Sequence, residues 1–101
     1  MHKQDEFWYN HLMLYPFIRL DDNTQIVHSE VLPNGQVRVC VERPIHRGFD
    51  SATCMLPDYT WSDIEGFTSD DIARYQQIIE DGAHLIFRYA KTGGFLNAEG
   101  F

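Results

Sequence analysis

Two runs rich in β-branched residues, 24–32 and 36–43, meet at Pro33-Asn34-Gly35, and this joint constrains the fold more than any other feature of the chain. A two-residue Asn34-Gly35 turn sets Val39 opposite Glu30 and Val41 opposite His28. A three-residue loop, with Pro33 and Asn34 in a type I turn and Gly35 left-handed, sets Val31 opposite Val37, Ser29 opposite Val39 and Val27 opposite Val41. The second register sorts valines from charges and pairs Glu30 with Arg38 and His28 with Cys40. Because a slip of one residue scrambles both faces, the bulged hairpin is the expected one, with Val27, Val31, Val37 and Val41 turned inward together.

The flanking segments extend this ribbon into a sheet. Residues 17–20 read as a short strand, Asp21-Asp22-Asn23 as a turn, and 51–56 as another strand reached through a loop over 44–50. Pro57 ends that strand. Ser62-Asp63-Ile64-Glu65 has capping-box spacing with Gly66 close behind, which predicts a single helical turn. Thr68 caps the main helix, whose apolar stripe is Ile72, Tyr75, Ile79, Ala83, Ile86 and Ala90 and whose stop is Gly93-Gly94. Gly82 inside that run costs about 1 kcal/mol relative to alanine and is the place where a break into a strand would fall. At the front, Phe7, Trp8, His11, Leu12 and Tyr15 predict a short helix over 4–14 stopped by Pro16. The expected fold is α+β: one domain over 1–101, an antiparallel meander of three to four strands, the long C-terminal helix on one face and the short N-terminal helix beside it.

Composition sets limits on partners. With 14% aromatic residues the chain is not a disordered tail, and no apolar run approaches the ~20 residues of a membrane span. The N-terminus lacks the basic and then apolar segments of a secretion signal, which points to the cytoplasm. The net charge of -7 disfavours nucleic acid, whose phosphates it would repel. The charge is uneven: from 57 to 81 seven acids stand against Arg74 alone. Helix caps and solubility account for many of these acids. Interleaved with Tyr59 and Trp61, however, Asp58, Asp63, Glu65, Asp70 and Asp71 also make the best candidate contact surface, one suited to a basic protein.

A rival reading gathers the reactive groups. A hairpin centred on Arg47 would put Cys40 opposite Cys54, and the bulged register puts His28 opposite Cys40. The three then form one row that would suit a thiophilic metal or a thiolate activated by imidazole. Beside it, Arg43, His46 and Arg47 carry the charge and hydrogen-bond donors to recognise an anion. Buried apolar filler is the plainer role for both cysteines, and an exposed loop the plainer role for 43–50. No nucleophile elbow, phosphate loop or helical histidine pair accompanies them. The leading expectation is therefore a non-catalytic interaction or regulatory module without a cofactor, able to form a homodimer through a strand edge, with the metal or enzyme reading as the alternative.

Overall fold

The computed structural model describes residues 13–93, and the helix expected over 4–14 lies almost wholly outside them. Met13 and Leu14 are not helical; the chain enters its first strand directly at Tyr15. Five strands follow: β1 (Tyr15–Arg19), β2 (Gln25–His28), β3 (Val37–Ile45), β4 (Gly48–Leu56) and β5 (Thr60–Glu65). They form one antiparallel sheet in sequential order. A single long helix, α1 (Ser69–Lys91), closes the described chain. The α+β class and the meander hold, with one strand more than the upper expectation of four.

The extra strand is β5, and it replaces the helical turn expected at Ser62–Glu65. Asp63 adopts φ 52, a left-handed conformation that aspartate tolerates better than most residues. It forms a bulge at which the β4–β5 register shifts between Ser51↔Glu65 and Thr53↔Ser62. Ladder pairing with β4 satisfies more backbone groups than an isolated turn would, so the capping-box spacing is overridden there. It is obeyed six residues later: Thr68 accepts from the Asp71 N–H at 3.1 Å while Asp71 accepts from the Thr68 N–H at 2.9 Å.

The helix runs unbroken through Gly82. A Cβ at that position would lie 2.7 Å from the Phe17 ring, so glycine lets β1 approach the helix. Tyr75, Ile79, Gly82, Ile86 and Ala90 form the buried stripe. It covers one sheet face, to which β2 contributes Ile26 and His28, β3 contributes Val37, Val39 and Val41, and β4 contributes Ala52, Cys54 and Leu56. Trp61 Nε1 donates to Gln76 Oε1 at 2.9 Å near the start of the helix, while the Tyr89 ring lies 6.3 Å from that of Phe17 near its end. The helix thus crosses the sheet diagonally, from β5 toward β1.

The expected ribbon register is corrected by one residue. Gly35 is left-handed, with φ 86, and the loop closes between Leu32 and Gln36 as the bulged turn requires. Between Leu32 and Ser29, however, the ladder changes its partners. The Arg38 N–H donates to Ser29 Oγ at 2.9 Å instead of to the Ser29 carbonyl, which accepts from His28 Nδ1 at 2.8 Å. One extra residue is absorbed there, β2 ends at His28, and the pairs become Val27↔Cys40 and His28↔Val39. The four valines therefore divide: Val37 and Val41 are buried, Val27 is half-buried on the other face, and Val31 is 37% exposed. Ile26 and His28 take the inward places instead.

Candidate functional site

That shift, together with a second one in the β3–β4 hairpin, takes apart the proposed row of His28, Cys40 and Cys54. The β3–β4 hairpin turns at a two-residue tip, His46-Arg47, so that Ile45 pairs with Gly48, Cys40 with Thr53 and Val39 with Cys54. Alternation then sends His28 and Cys54 toward the helix and Cys40 to the opposite face. Among the described residues no group of three metal-ligating side chains comes together. Cys54 is fully buried, and burial pushes its thiol up to about 12. Burial also raises the thiol of half-buried Cys40. Neither environment favours the thiolate that a nucleophile or a metal ligand needs.

His28 is instead a core residue, 0% exposed, with its ring 5.7 Å from that of Tyr15 and 6.4 Å from that of Tyr89. Because its Nδ1 lies on a carbonyl, that nitrogen carries the proton, and Nε2 is buried with no hydrogen-bond partner among the described residues. Burial accordingly lowers its pKa from the ordinary 6.5. Nearby, the Tyr15 hydroxyl donates to Glu30 Oε2 at 2.8 Å, which raises the phenol's pKa.

Arg43 is likewise absent from the anion-recognising trio. Its Nη2 lies 2.7 Å and its Nε 3.2 Å from Asp50 Oδ2, with Asp71 Oδ2 3.6 Å away. Its guanidinium carbon sits 4.8 Å from the centre of the Phe67 ring. The bond to Asp50 raises the arginine pKa further. A ligand anion approaching Arg43 would meet two carboxylates already in place, while His46 and Arg47 stand exposed at the tip. Sequence reading missed this cluster because it placed the turn on Arg47; a two-residue tip would have put Arg43 opposite Asp50.

The cluster anchors a projecting arm. β2 first pairs with β3 at Glu42, and β5 last pairs with β4 at Ser51, so among the described residues Arg43–Ile45 and Gly48–Asp50 pair only with each other. Gly66 lies hard against the Asp50 carboxylate, where any Cβ would collide, so the junction with the body is tight. Beyond this anchor the arm exposes Ile45 (48%) and Phe49 (61%) with His46 and Arg47 between them. A shallow hollow of about 310 Å³ lies at the arm's base, lined by Arg19, Asn23, Gln25, Glu42, Pro44 and Phe49.

The acidic candidates separate into two groups. Asp58 lies in the β4–β5 turn, where it accepts from Gln36 Nε2 at 3.3 Å. Asp63 and Glu65 lie toward the other end of β5, with Asp70 in the first turn of α1. Thr60 to Glu65 spans about 17 Å at the usual strand rise, so Asp58 does not share a compact patch with Glu65. Asp71 is occupied by the cap and Arg43; the Thr68 N–H above all holds its carboxyl below the usual carboxylate range. Tyr59 and Trp61 are half-buried against the core, and Trp61 is tied to Gln76. Asp63, Glu65 and Asp70 are exposed, and among the described residues the ion pairs are both made by Arg43. Between Asp63 and Glu65, Ile64 is 44% exposed.

Comparison with protein families, with characterised proteins and with solved structures finds no match. Among the described residues no helix is long and apolar enough to cross a membrane.

Proposed function

We propose that this chain is a non-catalytic protein-binding module that offers the acidic end of its sheet to a basic protein surface. The observation that carries the reading is the exposed run Asp63-Ile64-Glu65 on edge strand β5, with Asp70 following at the helix start and no cation paired to any of the three acids among the described residues. Unpaired carboxylates around an exposed aliphatic group suit a partner surface that brings lysine or arginine together with an apolar contact: the charges steer the encounter and the apolar area holds it. Asp71 is held at the neighbouring helix start by the Thr68 cap, and Trp61 ties β5 to the helix, while Asp58 and Tyr59 lie in the turn at the far end of β5.

The test is capture of a partner by the tagged chain and by a variant carrying Asp63→Asn, Glu65→Lys and Asp70→Lys. Asparagine is chosen at 63 because it tolerates the left-handed backbone. The partner should be lost on this variant and kept on an Asp58→Lys control. A partner retained by the triple variant, or lost equally on the control, overturns the reading.

A further inference from the structure

The exposed residues of the arm and of the acidic strand lie at the same end of the molecule. Phe49 is two residues beyond Ser51 on β4, and Ser51 pairs with Glu65, so the arm starts about 7 Å along the strand from the acidic residues. The two surfaces differ in charge and share an apolar character. The arm carries Arg47 and His46 between Ile45 and Phe49; the strand carries Asp63 and Glu65 around Ile64.

Among the described residues, nothing in the fold of one copy covers the apolar side chains of the arm. Its outer part has no neighbouring strand among them, and its link to the core is made by Arg43 and Asp50, one residue from Phe49 and two from Ile45. Yet three of the large apolar side chains exposed among the described residues, Ile45, Phe49 and Ile64, reach this end. By alternation Phe49 lies on the sheet face that also carries Glu65, and Ile45 and Ile64 lie on the helix side. Strand-edge pairing is poorly served. β1 has Pro16, which lacks an N–H, and a register shift beside it, while β5 has the Asp63 bulge and its carboxylates; both features blunt edges.

We propose that this end of the molecule is a self-association surface, in which the basic, apolar arm of one copy docks against the Asp63-Ile64-Glu65 edge of a second copy and receives that copy's arm in return. A two-fold interface must be complementary to itself, so it needs opposite charges on one patch with apolar area between them. Adjacent arm and edge supply both. The proposal rests on the acidic-surface reading and narrows it: the basic surface that meets the acids belongs to an identical chain.

Sedimentation equilibrium of the full chain, from low to high micromolar concentration, tests it. The expected wild-type species has twice the 11.8 kDa chain mass. Arg47→Glu alone, Glu65→Lys alone and Phe49→Asp should each be monomeric, with circular dichroism and melting temperature confirming that they fold. The decisive sample is an equimolar mixture of the Arg47→Glu and Glu65→Lys chains. In a mixed pair one arm–edge contact keeps its native charges and the other has both reversed, so the dimer should return. A wild-type chain that stays monomeric, single variants that stay dimeric, or a mixture that fails to associate would each overturn the proposal. A monomeric wild type that still captures a basic partner through Asp63, Glu65 and Asp70 would leave the acidic surface standing and remove only self-association.

Discussion

The helix-covered face of the sheet and the hairpin arm are built from one pair of strands and obey different rules. On the covered face, Val37, Val39 and Val41 of β3 and Ala52, Cys54 and Leu56 of β4 are buried under Tyr75, Ile79 and Ile86. There every side chain is held by area removed from water and by close packing. A few residues further along the same strands, Ile45 and Phe49 stand in solvent, and the arm is held at its base by Arg43, Asp50, Asp71 and Phe67. The helix stabilises what lies beneath it, and the apolar side chains it leaves uncovered stay exposed among the described residues.

Substitutions can sharpen or break this contrast. The largest effect is expected at Gly82. Helix propensity alone says that Gly82→Ala should stabilise by about 1 kcal/mol. With a Cβ 2.7 Å from the Phe17 ring, overpacking should instead destabilise by about 1–3 kcal/mol in chemical denaturation. Pairing it with Phe17→Leu should recover part of the loss. A plain gain in stability from Gly82→Ala would show that β1 is not pressed against the helix.

Next in size is the pH response of the covered face. His28 is buried with its pKa lowered from 6.5. The unfolded chain therefore takes up a proton before the folded chain does, and the equilibrium shifts toward unfolding. The melting temperature should be level above about pH 6.5 and fall as pH drops below it toward the lower folded value. Because Asp71 and Asp22 have lowered pKa values, their loss of stability comes in a separate, more acidic window, as pH falls through their own folded values. His28→Leu should flatten the melting curve across the first window and leave the second. An unchanged slope in the first window would mean that His28 is protonated and solvated in the folded chain.

The smallest effect on folding belongs to the arm. Ile45→Ser and Phe49→Ser should each change unfolding free energy by no more than about 0.5 kcal/mol, as surface positions do. A loss comparable to that at Gly82, measured with the chain monomeric, would mean that the arm packs on its own body.

Much of the architecture was legible from local chemistry. The Thr68 cap, the stripe from Ile72 to Ala90 and left-handed Gly35 each follow from residues a few positions apart, and each is present. The candidate sites were far less legible. Whether His28, Cys40 and Cys54 share a face depends on strand register, and register depended on one serine hydroxyl. Ser29 Oγ takes the Arg38 N–H while His28 takes the Ser29 carbonyl, an exchange that hydrophobic pattern does not encode. The β3–β4 turn had a similar ambiguity. With no Asn-Gly to mark it, a tip at His46-Arg47 instead of a centre on Arg47 moved Arg43 opposite Asp50 and Cys54 opposite Val39.

The sequence by itself determined the elements that arise from contacts close along the chain: the long capped helix, the glycine turn and the β-branched ribbon. Tertiary structure decided which side chains meet across strands, because alternation has a period of two and a single inserted residue reverses every face. It also decided that Ser62–Glu65 pairs as an edge strand instead of turning as a helix, since the ladder offered by β4 satisfies backbone groups that a lone turn leaves open.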